Sequence, residues 1–594
     1  MVARLCQLVL LVATIVTGAA LAQTDRPLNL VLIVADDLGY SELGSYGSEI
    51  ETPFLDRLAD DGVRFSSFYA TPRCSPSRAA LLTGVAPHRA GVGHLNRDWG
   101  DASYRGRIRS DLPILPEILR AGGHRTYMVG KWHLAPVPRN AADLESVRAF
   151  WPLQRGFDAF WGTLRGSGTY FAPPSLQAGN DPAPDPGDDF HYTHAIGKEA
   201  SAFLSSHVRD HPTTPFFLYL AFTAPHWPLH ATPGDIDRQE GHYDAGWDAL
   251  RSARLARMVD SGLLAADTAL APRVRGVPQW SSVVNPKWQA RRMEVYAAMV
   301  NAMDRAVGRI LGRLRELGEA DRTVVVFVSD NGASAEQMSG LNRLLPLFVP
   351  IPTETPEGEP VRFGDSPAIA PGGPETYAAY GPGWAQVSNT PWAGFKKSTA
   401  EGGISAPLIV RSPSTPHGMR GRIVRAPAQM VDLLPTVVDL LGIDATVAPG
   451  ADAWAGISLR TAIELSQPED SHPRTLFWEH EGNRGVRRGN WKFVAHWPRP
   501  PRLYDLSTDR TESHDVSAEN PEIVSDLEAA WREWATANGV GRWPLVVPTV
   551  EPILWGLLAI VLVTVLVRVR RRNDPPPTVD EPPRSPAHGP IAPR

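Results

Sequence analysis

The chain has 594 residues, 43% of them hydrophobic and 21% charged, an ordinary globular composition with enough length for one large domain and a smaller one. A formal net charge of -5 excludes the strongly basic balance of a nucleic-acid binder, so no nucleic-acid partner is expected.

In chain order, Arg4, the apolar run 8–16 and the small-x-small triplet Ala20-Leu21-Ala22 read as a secretory signal over residues 1–22, which places the body of an exported protein on the periplasmic or extracellular face. The signal takes Cys6 with it and leaves Cys74 as the one thiol, so no intramolecular disulfide can form. A lone thiol in an exported chain points to chemistry. A buried inert cysteine accounts for it equally well on composition alone.

Residues 28–35 (LNLVLIVA) form a continuous apolar run, the pattern of a strand buried on both faces, and end in Asp36-Asp37. Helical patterns follow at 52–62, with Leu55, Leu58 and Ala59 on one face, at 77–82, stopped by Gly84, and at 112–121. Residues 215–222 (PFFLYLAF) are a second buried-strand run, leading to Pro225-His226, and 323–328 (TVVVFV) a third, leading to Asp330-Asn331-Gly332. Residues 406–410 make a fourth, and a long helix is expected over 296–317. Strands alternating with helices define an α/β fold with a mainly parallel sheet, and such folds bind ligands beyond the carboxyl ends of their strands.

The stretch 345–391 is dense in Pro and Gly and reads as a long loop. From residue 475 the texture changes to short aromatic-rich segments (LFWEH, RGVRRG, WKFVAHW, RLYDLS), the pattern of a small antiparallel subdomain, closed by a helix over 521–537. The expected bodies are therefore a catalytic domain over 27–465 and a subdomain over 470–540. The uncharged apolar run 553–567, followed by Arg568, Arg570, Arg571 and Arg572, reads as a C-terminal membrane anchor over 550–569 with its basic flank inside. A Pro-rich disordered tail at 573–594 completes the chain.

Asp36, Asp37, Asp330 and Asn331, at two separate strand ends, offer only hard oxygen ligands, which suit calcium or magnesium and disfavour zinc. Cys74 is expected just before a helix starting near Ser77, where outward N–H groups favour negative charge. Arg78 follows Cys74 by one helical turn. His226 and His230 have the spacing of a helical metal pair, but Pro225 and Pro228 oppose a helix there, so no zinc pair is expected. His480 is a candidate to line the pocket from the small subdomain.

The segment Cys74-Ser75-Pro76-Ser77-Arg78, continued by AALLTG, resembles the signature of the sulfatase family. Gly130-Lys131-Trp132-His133 resembles its second signature. Asp36-Asp37, Ala224-Pro225-His226, Asp330-Asn331-Gly332 and the segment from Asn389 through Lys396 to Glu401-Gly402-Gly403 follow in the family's order. The likeness runs from Leu28 to about Ser517 and is nearest to arylsulfatase-like members.

It implies an alkaline-phosphatase-like fold: a large mixed, mostly parallel sheet between helices, with a small C-terminal antiparallel sheet and helix. It also implies a sulfuric-ester hydrolase with one calcium ion, held by Asp36, Asp37, Asp330, Asn331 and residue 74. Cys74 itself would be oxidised to formylglycine by a formylglycine-generating or sulfatase-maturing enzyme. The hydrated aldehyde would attack sulfur with one hydroxyl and expel sulfate with the other. Arg78 would steady that hydrate, Lys131 and Lys396 would bind sulfate oxygens, His226 would protonate the leaving alcohol and His133 would assist sulfate release. The substrate would be a sulfated small molecule or carbohydrate. Ala400 stands where many relatives carry His or Tyr, which points to a change in the pocket wall, and Lys397 beside Lys396 competes for the lysine's role. Two rivals remain at this stage: a phosphonate or phosphate ester hydrolase of the same superfamily, and a sulfoglycan-binding relative without turnover.

Overall fold

The computed structural model describes residues 26–543 apart from 137–143, 186, 188, 340–350, 445–449, 451–452 and 466–473. The expected signal, anchor and tail lie outside these residues. Among the described residues no helix is long and apolar enough to cross a membrane.

Ten strands form the main sheet: β1 (Asn29–Ala35), β2 (Val63–Phe65), β3 (Arg125–Lys131), β4 (Ala159–Thr163), β5 (Leu176–Ala178), β6 (Asp181–Pro182), β7 (Phe216–Ala221), β8 (Thr323–Ser329), β9 (Leu408–Arg411) and β10 (Arg422–Val424). Their spatial order is β10-β2-β9-β8-β1-β7-β3-β4-β5-β6. The five central strands, β8-β1-β7-β3-β4, run parallel. β9 is antiparallel to both its neighbours, and β5 and β6 extend the far edge in antiparallel fashion.

The continuous apolar runs have a direct cause. In β1, Val31, Ile33 and Ala35 face one hydrophobic layer, which includes Met299, Val300 and Met303 of a long helix. Leu30, Leu32 and Val34 face a second layer with Ala79, Ala80 and Leu82. Alternate side chains of a strand point to opposite faces, so a strand covered on both sides needs an apolar residue at every position. The parallel register then carries Asp36 and Asp330 past the same edge, since Ala35 pairs with Ser329.

Three expectations from sequence need correction. The helix α1 (Cys74–Thr83) starts at Cys74 itself rather than near Ser77. The Ser77 hydroxyl lies 2.7 Å from the Thr71 hydroxyl and accepts the Thr71 N–H at 3.0 Å, which folds the preceding loop onto the first turn. The long helix α2 (Pro286–Glu316) begins ten residues before the periodic stretch. Its early turns are charged yet packed, with Arg292 donating to the Ala379 carbonyl at 2.7 Å. Within the segment 345–391 stand a two-strand ribbon and a helix, Gly381–Ser388. That helix has poor intrinsic propensity but is fixed by Trp384, which is fully buried against Trp247 at 5.5 Å and donates to the Gln289 carbonyl at 2.7 Å. Packing overrides propensity here.

The C-terminal segment forms the expected antiparallel sheet: β11 (Thr475–His480), β12 (Asn483–Arg488), β13 (Trp491–Ala495) and β14 (Arg502–Asp505). A helix α3 (Pro521–Ala537) packs on it around Leu527.

Candidate active site

Four parallel strands deliver their carboxyl-end residues to one place. β1 leads into Asp36 and Asp37, β8 into Asp330 and Asn331, β3 ends on Lys131 with His133 two residues on, and β7 leads into the loop bearing His226. The first turn of α1 brings Cys74 and Arg78, and the loop before Glu401 brings Lys396. All of these residues are buried.

The hub is Asp37, whose backbone takes φ 63°. Its Oδ1 accepts the Asn331 side-chain N–H at 2.7 Å and lies 3.8 Å from the Cys74 Sγ. Its Oδ2 pairs with Lys396 Nζ at 2.7 Å and stands 3.5 Å from His226 Nε2. Its backbone N–H donates to Asp330 Oδ1 at 3.3 Å. Asp36 pairs with Lys131. Arg78 forks onto Asp330 Oδ2 through Nε at 3.0 Å and Nη2 at 2.8 Å, and donates to the Lys131 carbonyl at 3.1 Å. Each of the three carboxylates thus has its own cation.

Burial sets the protonation states. It raises the Asp37 carboxyl, but Lys396 and His226 outweigh it and hold that group well below the usual carboxylate range. Burial and the neighbouring Asp36 push Asp330 up to about 6 despite Arg78. Burial lowers His226 to about 3, with Lys396 adding to it, and drives His133 well below its ordinary value, with Lys131 and Arg78 adding to it. Both imidazoles are therefore neutral near pH 7. His226 Nδ1 lies 2.6 Å from the Trp227 carbonyl and must be the donor there, so the bare Nε2 faces Lys396 Nζ at 3.2 Å. Burial also pushes the Cys74 thiol far above its ordinary value, so the unmodified thiol is un-ionised and a poor nucleophile.

The residues present fit a hard divalent cation. Asp36 Oδ1 and Asn331 Oδ1 are buried and make no hydrogen bond, and a buried oxygen without a partner is costly unless something else meets it. With both imidazoles neutral, three carboxylates and three cations cancel. A divalent ion would leave a charge of about +2, matched to a sulfate ester anion and an ionised nucleophile.

Asp36, Asp37, Cys74, Arg78, Lys131, His133, His226, Asp330, Asn331 and Lys396 all come to this cluster, whereas His480, expected to line the pocket, instead stacks on His94 at 5.2 Å. Lys397 lies outside the cluster: its backbone takes φ 78° and its ammonium pairs with Glu336 Oε1 at 2.9 Å, whereas Lys396 pairs with Asp37. Ala400 is buried with its methyl group close to Gly394. His230 serves the fold, with Nε2 2.6 Å from the Thr376 carbonyl. Sequence reasoning missed Glu336, whose Oε2 accepts the Trp227 indole N–H at 2.7 Å beside His226. It also missed Gly166, where a Cβ would stand 2.2 Å from two ring atoms of His133. Nothing in the local pattern of either residue marks it.

A sheet whose parallel strands converge their ends on a buried cluster of carboxylates, beside a buried thiol at the first residue of a helix and three fixed cations, suits a hydrolase of anionic esters. The Sulfatase family model matches residues 28–443, and the chain belongs to the sulfatase family. An uncharacterized sulfatase of Schizosaccharomyces pombe is 31% identical over 88% of this chain and 96% of its own length. An arylsulfatase of Klebsiella aerogenes is 32% identical over 72% of this chain and 89% of its own, and an N-acetylgalactosamine-6-sulfatase of Sus scrofa is 28% identical over 82% and 75%. Among solved structures, Ps i-CgsB in complex with k-i-k-neocarrahexaose superposes with a TM-score of 0.60 at 25% identity, covering 86% of this chain and 94% of that one. The chain is a sulfatase with the alkaline-phosphatase-like architecture expected from its sequence.

Proposed function

We propose that this sulfatase hydrolyses O-sulfate esters, arylsulfatase-like in character, of a sulfated small molecule or carbohydrate, with one bound calcium ion and formylglycine at position 74. The observation that carries the reading is the pair of buried oxygens that accept no hydrogen bond, Asp36 Oδ1, with Arg78 Nη2 no nearer than 4.0 Å, and Asn331 Oδ1, in one cluster with Asp37, Asp330 and Cys74. A carbohydrate substrate is favoured by the relatives, one named for N-acetylgalactosamine-6-sulfate chemistry and one solved with a neocarrahexaose bound.

Calcium held by Asp36, Asp37, Asp330 and Asn331 would supply Lewis acidity, and formylglycine in place of the inert thiol would supply the oxygen nucleophile. The chain's own side chains do the rest. Arg78 holds Asp330 in place through its two-nitrogen fork and fixes the turn below residue 74. Lys131 and Lys396 present ammonium groups to sulfate oxygens, where preorganised positive charge meets the charge that grows in the transition state. The Lys396–His226 pair, 3.2 Å apart, shares the proton delivered to the leaving alcohol oxygen. His133, neutral and with Nδ1 free of hydrogen bonds, accepts the proton lost when sulfate is released.

The test joins peptide mass spectrometry to turnover. Active protein should carry an aldehyde in place of the Cys74 thiol, release sulfate from aryl or carbohydrate sulfates faster than it cleaves an aryl phosphodiester, and lose turnover on chelation until calcium is restored. Full turnover in a sample whose Cys74 is entirely thiol, or after verified metal removal, would overturn the proposal.

A further inference from the structure

A second group of potential ligands lies where the catalytic body meets the C-terminal sheet, and none of the chemistry above uses it. His94 comes from the loop after α1, His480 ends β11, and Glu481 occupies the turn between β11 and β12 at φ 52°. One ligand atom from each lies within 4.8 Å of the others. Glu481 Oε1 stands 3.0 Å from His94 Nε2 and 3.6 Å from His480 Nε2. The two imidazoles stack at 5.2 Å with planes 20° apart, so both direct a nitrogen at the same carboxylate oxygen.

We propose that His94, His480 and Glu481 form a site for a first-row divalent cation of the zinc class, distinct from the oxygen-ligand cluster. Two observations beyond the clustering support it. His480 is fully buried, its Nδ1 has no hydrogen bond, and its Nε2 has only Glu481 Oε1, at 3.6 Å, too long for a good hydrogen bond, whereas a buried imidazole serving only the fold normally makes at least one of normal length. The spacing also suits the ion: tetrahedral ligands at about 2.0–2.1 Å from zinc are roughly 3.3 Å apart, and the two measured separations bracket that value.

The donor chemistry agrees. Two imidazoles and one carboxylate leave a fourth position open, and this set favours zinc-class ions over calcium. Arg73 is an electrostatic neighbour of both His480 and Glu481. Arg73, adjacent in sequence to Cys74, also feels Glu336 and Asp37. It links the charge of this site to the catalytic cluster and partly offsets the pull of Glu481 on a cation.

The experiment uses the full chain, stripped with chelator and then titrated with Co2+ in saturating Ca2+ so that the oxygen-ligand cluster is filled. One Co2+ per chain should bind with the intense visible bands of a four-coordinate ion, and Zn2+ should displace it. Glu481→Gln, at a partly exposed turn, should weaken that binding at least about 10-fold, and His480→Ala should abolish the bands. Absence of Co2+ uptake under calcium, or uptake unchanged in Glu481→Gln, would overturn the assignment. Because the readout is metal binding, a failure here leaves the proposed hydrolysis untouched.

Discussion

Replacing Lys492 by Met tests how the C-terminal sheet supports the catalytic layer. Lys492 Nζ lies 2.8 Å from Glu401 Oε1 and 3.1 Å from Glu512 Oε1, all of them buried. At an effective dielectric of about 20 these contacts amount to ~6 and ~5 kcal/mol of Coulomb attraction. Desolvating an ammonium costs several kcal/mol, so deleting the cation should lower stability by about 3–5 kcal/mol, the usual result of orphaning a buried charge.

The pH dependence has a definite sign. Burial raises Glu401, but Lys492 and Arg510 outweigh it and hold the group at about 2, below its ordinary 4.5. In the native protein that stability is present above pH 4.5 and lost as pH falls through about 2. Without Lys492 the buried carboxylates titrate above 4.5, as Glu512 does already at about 7, through burial, even with Lys492 present. The variant then loses stability as pH rises, and its deficit should widen between pH 5 and pH 8. Urea unfolding at both values measures this.

The consequence should reach the active site. Glu401 is followed by Gly402 and Gly403, whose carbonyls accept from Asn389 Nδ2 at 2.6 Å and from the Gly332 N–H at 3.1 Å, and Lys396 lies in the same loop. KM for a sulfate ester should therefore rise. At pH 5, where Glu512 at about 7 is protonated, the double variant Lys492→Met/Glu401→Gln should recover part of the lost stability, because it neutralises the other carboxylate that Lys492 faced. A deficit under about 1 kcal/mol, or one that does not change with pH, would refute this account.

Two further outcomes are expected. Gly166→Ala places a Cβ 2.2 Å from the His133 ring, and the ring is what yields; kcat should fall on the order of 100-fold while unfolding midpoints stay close to those of the parent, and unchanged kcat would remove His133 from proton transfer. Asp304 accepts the N–H groups of Phe54 at 3.2 Å and Leu55 at 2.8 Å, and burial pushes its carboxyl up to about 7 from an ordinary 3.8. The folded state binds that proton more tightly, so its contribution falls as pH rises between those values, by up to about 4 kcal/mol at 1.36 kcal/mol per pH unit. Asp304→Asn should gain on the parent in urea unfolding as pH goes from 4 to 8, and a constant difference across that range would rule out a buried titrating carboxyl.

The amino-acid sequence by itself pointed to the buried strands, because a strand covered on both faces must be apolar at every position and 28–35, 215–222 and 323–328 are short apolar runs that fit that pattern. It also determined the class of chemistry, since oxygen ligands, a lone thiol and fixed cations stood in one recognisable order at strand ends. Tertiary structure decided which partner each charge takes. Arg78 lies one turn after Cys74 yet spends its fork on Asp330, 252 residues away, and no local pattern encodes an ion pair across such a distance. Tertiary structure likewise pairs Lys396 with Asp37 and the adjacent Lys397 with Glu336. The helix at 381–388 formed against its own propensity, because Trp384 gains more by burial beside Trp247 than the glycines cost in chain entropy. His94 and His480 meet only because the C-terminal sheet docks where it does, through an apolar cluster of Tyr69, Ile404, Leu476 and Trp478 and a buried lysine between two carboxylates far apart in the chain.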